Sequence, residues 1–354
     1  MSAQSGRVPS LDGLRAISVF IVLCSHFISS KLFPGSLGVY IFFVISGFLI
    51  TRLLIQEDKK YGKISLLKFY GRRAMRLYPV VFVYTFFVVA AYLFLGMDIN
   101  WPEPLSVIFY FANYFYAPMP RQGGVGTMPF EPLWSLAVEE HFYFLLPAAM
   151  LFLRRRPREL LASMIVICVL CLVYRIVMAM LHPELLDTRF FYFRTEARID
   201  SLAYGVALAA MCEMPEWRGR LLKIASPITL VIAGLVVLGT LVWRDPFFRE
   251  TIRYSIQGCA IAAAVVSILF RPGWVQYILN TSPFMFVGYI SYSLYVWSIC
   301  THDVVRYVAR LSGWVEVLAL FLVAFAMACA SYFLLEKPLQ SLRQRMGSVA
   351  LGRQ

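Results

Sequence analysis

The stretch SLDGLRAISVFIVLCSHF, residues 10–27, decides how the rest of the chain is read. It is apolar enough and nearly long enough to cross a hydrocarbon core of about 30 Å, yet it carries Arg15 and His26. Ionisable groups are costly in hydrocarbon, and inside a span they point first to function. Their separation is just over three helical turns. Both side chains therefore fall within roughly 20° of one face and about 16 Å apart along the axis. One face carries a cation near one membrane surface and an imidazole well inside. In the plainer reading Arg15 snorkels to the interface and His26 bonds across helices. That reading weakens as further buried charges are counted.

Of the 354 residues 60% are hydrophobic and 15% charged, and the mean hydropathy is +0.70, which excludes an ordinary soluble domain. The pattern predicts an all-α fold, a polytopic membrane helical bundle. About ten spans are expected, near 11–30, 36–55, 77–96, 133–153, 160–181, 196–213, 222–243, 252–270, 284–302 and 314–335. Residues 104–117 are apolar and aromatic but short, which suits a re-entrant or interfacial piece. One domain over 8–340 is expected, then a short basic tail over 341–354. No small-residue cleavage site follows the first segment, so it reads as a retained span. The seven cysteines lie in or beside apolar runs without metal-ligand spacing and read as free thiols, and no metal is expected.

The net charge of +13 reflects loop asymmetry rather than nucleic-acid binding. One side carries Arg7, the run from Arg52 to Arg76, Arg154 to Arg158, Arg218 to Lys223, Arg271 and the C-terminal basic residues. The other carries fewer than half as many: Lys31, Arg121, Arg189, Arg194, Arg244, Arg249, Arg253, Arg306 and Arg310. Both termini are therefore expected on the cytoplasmic side, with an even number of spans.

Further polar groups interrupt the apolar runs. In the second span Ser46-Gly47 suits close helix contact or close approach of a ligand. The basic loop ends in FYGRRAMRLYP, read as an amphipathic helix from Leu66 to Tyr78 on the membrane surface. It clusters Arg72, Arg73 and Arg76. Such a cluster anchors to lipid headgroups or binds the phosphates of a ligand, for which Arg forks are suited. The loop from Gly96 to Pro132 is rich in aromatic residues, fitting a membrane interface or stacking on a sugar, and Gly123-Gly124-Val125-Gly126 within it should be mobile. Glu139, Glu140 and His141 open the fourth span, either as a general-base arrangement or as a structural ion pair. In EARIDSLAYG, Arg198 would pair with Glu196 or Asp200. Ser291, Tyr292, Ser293 and Tyr295 would line a polar cavity or pack. Glu336 would meet the Arg cluster or cap a helix. Arg175 has no partner legible in the sequence.

These segments, taken in order, resemble the membrane-bound acyltransferase-3 family of bacteria over roughly residues 8–340. LDGLRAISVFIVLCSH is similar to its opening Arg and His motif, here Arg15 and His26. FFVISGFLITRLL resembles its second-span motif, and FYGRRAMRLYP its cytoplasmic arginine motif. LWSLAVEEHFYFLLP resembles its Trp-Ser-Leu, Glu-Glu, Phe-Tyr signature, at Trp134, Ser135, Glu139, Glu140, Phe142 and Tyr143. EARIDSLAYG, SYSLY and LLEKP are similar to further landmarks. Two positions depart from the pattern. His141 stands where Gln is frequent, and Ser298 where many members carry His, with His302 four residues later.

The resemblance implies transfer of an acyl group, usually acetyl, from cytoplasmic acetyl-CoA or another acyl-CoA to a hydroxyl of a saccharide, in a bacterial inner membrane. With that chemistry His26 would act as general base on the acceptor hydroxyl or as transient acyl carrier, oriented or charge-balanced by Glu139 or else Glu140, with Arg15 holding the donor or steadying the site and Arg72, Arg73 and Arg76 binding the CoA phosphates. Ser46, Trp134, Ser135, Tyr143, Arg198, Asp200, Tyr292, Tyr295 and Glu336 would support the site or face the acceptor. The appended esterase-like domain of some members is not seen after the tenth span, so a stand-alone membrane unit is expected. Buried Arg, His and Glu also suit a transporter or flippase of an anionic or lipid-linked sugar. The missing inverted repeat counts against that alternative.

Overall fold

The computed structural model describes residues 8–120, 128–302, 305 and 311–345. Arg7, Arg121, the Gly123-Gly124-Val125-Gly126 run, Arg306, Arg310 and the tail from 346 lie outside them. The described elements are helical, with one isolated bridge between Pro120 and Thr188. In chain order they are α1 (Pro9–Phe27), α2 (Gly35–Tyr61), α3 (Leu66–Phe94), α4 (Pro102–Ile108), α5 (Ala112–Tyr116), α6 (Trp134–Leu153), α7 (Pro157–Leu181), α8 (Phe190–Phe193) and α9 (Thr195–Arg198). They continue with α10 (Asp200–Cys212), α11 (Pro215–Ile224), α12 (Pro227–Val242), α13 (Pro246–Glu250), α14 (Ile252–Phe270), α15 (Trp274–Leu279) and α16 (Ser282–Trp297). Helix Gly313–Ser331, a π-turn at Tyr332–Glu336 and helix Lys337–Arg345 follow.

Proline in the first turn starts α1, α7, α11, α12 and α16, where its missing N–H costs nothing. Gly62, at φ 68°, ends α2 in the left-handed region. Pro79 lies inside α3 without ending it. The surface helix expected at Leu66–Tyr78 is therefore the first part of one 29-residue helix that continues through the third span. This places Arg72, Arg73 and Arg76 along the bundle rather than on the membrane plane.

Among the described residues seven helices are long and apolar enough to cross a membrane, or eight if the bent pair α11 and α12, at 79°, is one span. The other two expected spans have helices too short for that test, α10 with 13 residues and α16 with 16. Their shortness has a packing reason for α10. It is enclosed by α2, α7 and α14 and does not meet lipid along its length. Backbones touch there. A Cβ on Gly205 would lie 2.0 Å from the Val44 carbonyl oxygen, and one on Gly47 would lie 2.1 Å from that of Leu202. Gly47 thus serves helix contact, as small residues do where backbones approach closely. By contrast α7 buries only 22% of its apolar window and turns Ile165, Val169 and Val173 outward, as a lipid-facing helix does.

The loop after α3 folds on a buried carboxylate. Glu103 accepts from Tyr116 Oη at 2.9 Å, Asn100 Nδ2 at 2.9 Å and Met128 N at 3.3 Å. Burial and the Glu103 charge push the Tyr116 phenol well above its usual range. Residues 104–117 hold the short helices α4 and α5 and do not span.

Candidate active site

The site is built on Arg73. This residue sits two turns into α3, and its Nε donates to Glu140 Oε1 at 2.8 Å while Nη2 reaches Glu139 Oε2 at 3.5 Å. Its planar face lies on Tyr143, with 3.3 Å from Cζ to the ring centre. Adjacent residues on a helix point about 100° apart, so Glu139 and Glu140 grip the guanidinium from different directions. Only Glu139 lines the cavity described next, and Glu140 braces Arg73 from outside it. Ser46 of α2 reaches both Glu139 and Tyr143.

A cavity of about 320 Å³ opens between α1, α2, α3, α6, α16 and the π-turn. Arg15, Arg72, Arg73 and Arg76 face it, against Asp12, Glu57, Glu139 and Glu336. Ser46, Ser135, Tyr143, Tyr292 and Tyr295 supply hydroxyls. Arg72 Nη2 donates to Glu57 at 2.8 Å, while its buried Nη1 has no acceptor. Arg15 stacks on Phe42 at 5.9 Å and forms no ion pair among the described residues. At the opposite end from Glu57 and Arg72, Ser135 Oγ and Tyr295 Oη lie 2.8 Å apart, and Tyr295 donates to the Pro132 carbonyl. Tyr292 donates to the Leu77 carbonyl at 2.8 Å. Ser293 does not line the cavity but donates at 2.6 Å to Glu336, which does. Gln340, at the start of the last helix, also lines the cavity. Trp134 is not a lining residue; it stacks on Phe193 at 5.0 Å and Tyr192 at 4.8 Å behind Ser135.

His26 stands apart. It lies at the far end of α1 from Arg15 and does not line the cavity. The expectation that Glu139 or Glu140 orients it is corrected, because α6 runs beside α3 and both carboxylates go to Arg73. The neighbour of His26 is His302, whose Nε2 donates to the His26 carbonyl at 2.8 Å. His302 lies four residues after Ser298, beyond the end of α16 and the turn that follows it. The His26 ring nitrogens have no hydrogen-bond partner among the described residues.

The expected pairing of Arg198 is also corrected. Asp200 accepts from Arg175 Nη1 at 2.8 Å, both fully buried. Glu196 accepts from Tyr114 and Tyr174 and lies in an ion pair with Arg194. Arg175 is further held by the Thr251 and Ala197 carbonyls and by Ser255, so it locks α7, α10 and α14 together. His141 Nδ1 meets Thr195 Oγ1 at 2.7 Å, a structural tie to α9. Asp12, Glu57 and Tyr289 were missed from the sequence. Asp12 had a signal, three residues before Arg15 on the same helix face. No group of three or more His, Cys, Asp or Glu side chains among the described residues is placed to hold a metal.

The family described as Acyltransferase domain matches residues 8–336. The chain is 30% identical over 352 residues to the O-acetyltransferase OatA of Staphylococcus aureus (strain NCTC 8325 / PS 47), covering 94% of this chain and 57% of that protein. It is 30% identical over 308 residues to the peptidoglycan O-acetyltransferase OatA of Listeria monocytogenes serovar 1/2a (strain ATCC BAA-679 / EGD-e), covering 82% of this chain and 48% of that protein. The chain thus spans about half the length of these curated relatives. No solved structure matches.

Proposed function

This chain belongs to the acyltransferase-3 family, and from that premise we propose that it is an integral-membrane O-acyltransferase. It moves an acyl group, acetyl first among them, from cytoplasmic acyl-CoA to a hydroxyl of a saccharide, in a bacterial inner membrane with both termini inside. The observation that carries the reading is the gathering of Arg15, Arg72, Arg73 and Arg76 with Glu139 around one cavity.

CoA is a polyanion with a thioester at the end of a narrow arm. Arg72, with an unused buried Nη1, and Arg15, without an ion partner, are guanidiniums suited to phosphate oxygens. Arg73 is already committed to two carboxylates, so its role is to fix the wall on which the arm lies. The hydroxyls of Ser135 and Tyr295 stand where the arm ends. Beyond them, toward the other membrane face, His26 takes the proton of the acceptor hydroxyl or carries the acyl group. Either task needs an accessible ring nitrogen, and neither His26 nitrogen is occupied. In the direct route the acceptor oxygen bonds to the thioester carbonyl carbon as its proton passes to His26, the C–S bond breaks, and the CoA thiolate leaves and takes that proton as the free thiol. The saccharide class rests on the relatives, one of which is named for peptidoglycan.

The test is thioester cleavage by the purified protein in nanodiscs, read as free thiol released from acetyl-CoA in the presence of bacterial glycans. Release by the wild type that falls about tenfold or more in Arg72→Gln is expected, one charge-assisted hydrogen bond being worth 1.5–3 kcal/mol. A protein that moves sugar across liposomes but leaves the thioester intact would be a carrier instead.

A further inference from the structure

Arg198 presents a different problem from the cavity. Its side chain is fully buried, and Nε, Nη1 and Nη2 all lack a hydrogen-bond partner. Three rings surround it: Tyr254 at 4.0 Å, Tyr40 at 5.0 Å and Tyr192 at 5.6 Å from Cζ. Stacking on aromatic faces favours a cation, but it leaves the in-plane N–H donors unused. A buried charge without acceptors is costly. The same Tyr254 ring has Arg253 at 5.2 Å, and the Arg253 Nε is also buried without a partner. Arg175 completes the group at 5.4 Å, yet it alone has a carboxylate, Asp200. Four buried guanidinium nitrogens around one tyrosine thus have no acceptor within hydrogen-bond distance, although the buried Glu250 accepts from the same Tyr254 hydroxyl at 3.4 Å.

The position of this cluster narrows what would fill it. Gly35 packs on Ser25, next to His26. Tyr40 lies five residues along α2 from Gly35, about 8 Å at 1.5 Å per residue. The cluster is thus at the His26 end of the bundle, away from Glu57 and Arg72. Toward the cavity, Tyr192 packs at a tilt against Trp134, and Trp134 adjoins Ser135 at the end of the donor cavity. One aromatic layer separates the two.

We propose that Arg198, with Arg253, binds the carboxylate of an acidic saccharide, so that the acceptor is an anionic sugar. This rests on the saccharide reading above and sharpens it. A carboxylate matches the guanidinium fork with two parallel hydrogen bonds. Arg198 is enclosed in this structure, so the carboxylate reaches it only through a local opening around α9, the short helix that ends at Arg198.

The test uses the full chain in nanodiscs and measures binding of a tetrasaccharide of alternating glucuronic acid and N-acetylglucosamine, its carboxyl-reduced counterpart, and inorganic phosphate. The wild type should bind the acidic form about tenfold or more tightly than the reduced form, as expected for charge-assisted hydrogen bonds. Arg198→Gln should bring the two within about twofold, and Arg253→Gln should narrow the gap partway. Equal binding of the two saccharides by the wild type, or discrimination retained in a folded Arg198→Gln, would overturn the proposal. So would inorganic phosphate binding as tightly as the acidic tetrasaccharide. If Arg198→Gln does not fold, the wild-type comparison and Arg253→Gln still decide. A protein that cleaves acetyl-CoA without discriminating refutes this inference alone; one that discriminates without cleaving refutes the enzymatic reading alone.

Discussion

The Arg73 guanidinium carbon lies over the Tyr143 ring, 3.3 Å from its centre, while its nitrogens are shared between Glu139 and Glu140. Lysine keeps the charge but cannot stack in plane and bridge two carboxylates at once. Arg73→Lys is therefore expected to leave the protein folded and to cut acyl transfer about tenfold to a hundredfold, the worth of one lost charge-assisted hydrogen bond. Transfer rates and thermal unfolding in detergent check this together. Wild-type rates in the lysine variant would show that Arg73 is only a point charge.

The two glutamates should separate. Glu139 faces the cavity and Glu140 does not. Glu139→Gln is expected to lower kcat by about a hundredfold or more, in the range of a lost acid–base or charge-orienting group. Glu140→Gln should cost about tenfold, acting through the tilt of Arg73. Steady-state kinetics with acetyl-CoA decides, and the reverse order of the two losses would contradict the geometry.

Much of this site was legible in the sequence, because charges inside apolar runs are few and each stands out. Arg15, Arg73, Glu139, Ser135, Tyr292 and Tyr295 do meet around one cavity. What could not be read was which carboxylate goes to which cation. Local spacing suggested that Arg198 pairs with Asp200, but Arg175, 25 residues away in sequence, takes Asp200 by tertiary packing of α7 on α10. Span counting by length also had a limit. It assumed a lipid-facing helix, and α10 is enclosed by protein, so its 13 residues suffice. The surface helix at Leu66–Tyr78 was a reading of charge alone; backbone continuity through Pro79 carried it into the bundle.

Arg175 and Asp200 form a fully buried ion pair. Removing one partner strands the other, so Arg175→Met should destabilise the protein by about 3–5 kcal/mol. Arg175→Met with Asp200→Leu should recover a large part of that, since an apolar pair of similar volume replaces an ionic one. Thermal unfolding of the three proteins in one detergent measures it, and a double variant no better than the single would show that the other Arg175 hydrogen bonds dominate.

Gly205 and Gly234 provide a matched pair. A Cβ at Gly205 would lie 2.0 Å from the Val44 carbonyl oxygen, whereas nothing lies within 4 Å of one at Gly234. Gly205→Ala should force α2 and α10 apart, lower stability by about 1–3 kcal/mol and reduce transfer, because α2 carries Ser46. Gly234→Ala should be neutral or gain about 0.5–1 kcal/mol from helix propensity. Equal effects would mean that the α2 and α10 backbones do not touch.

On the proposed function, an acyl group that enters at the Arg73 cavity leaves on a saccharide near His26. Radiolabelled acetyl-CoA, the protein in nanodiscs and a panel of bacterial glycans test this directly, with wild type and His26→Ala side by side. The account predicts label on a glycan with the wild type and none with a folded His26→Ala that still binds acetyl-CoA. Full transfer by His26→Ala, or no consumption of acetyl-CoA by the wild type, would contradict it.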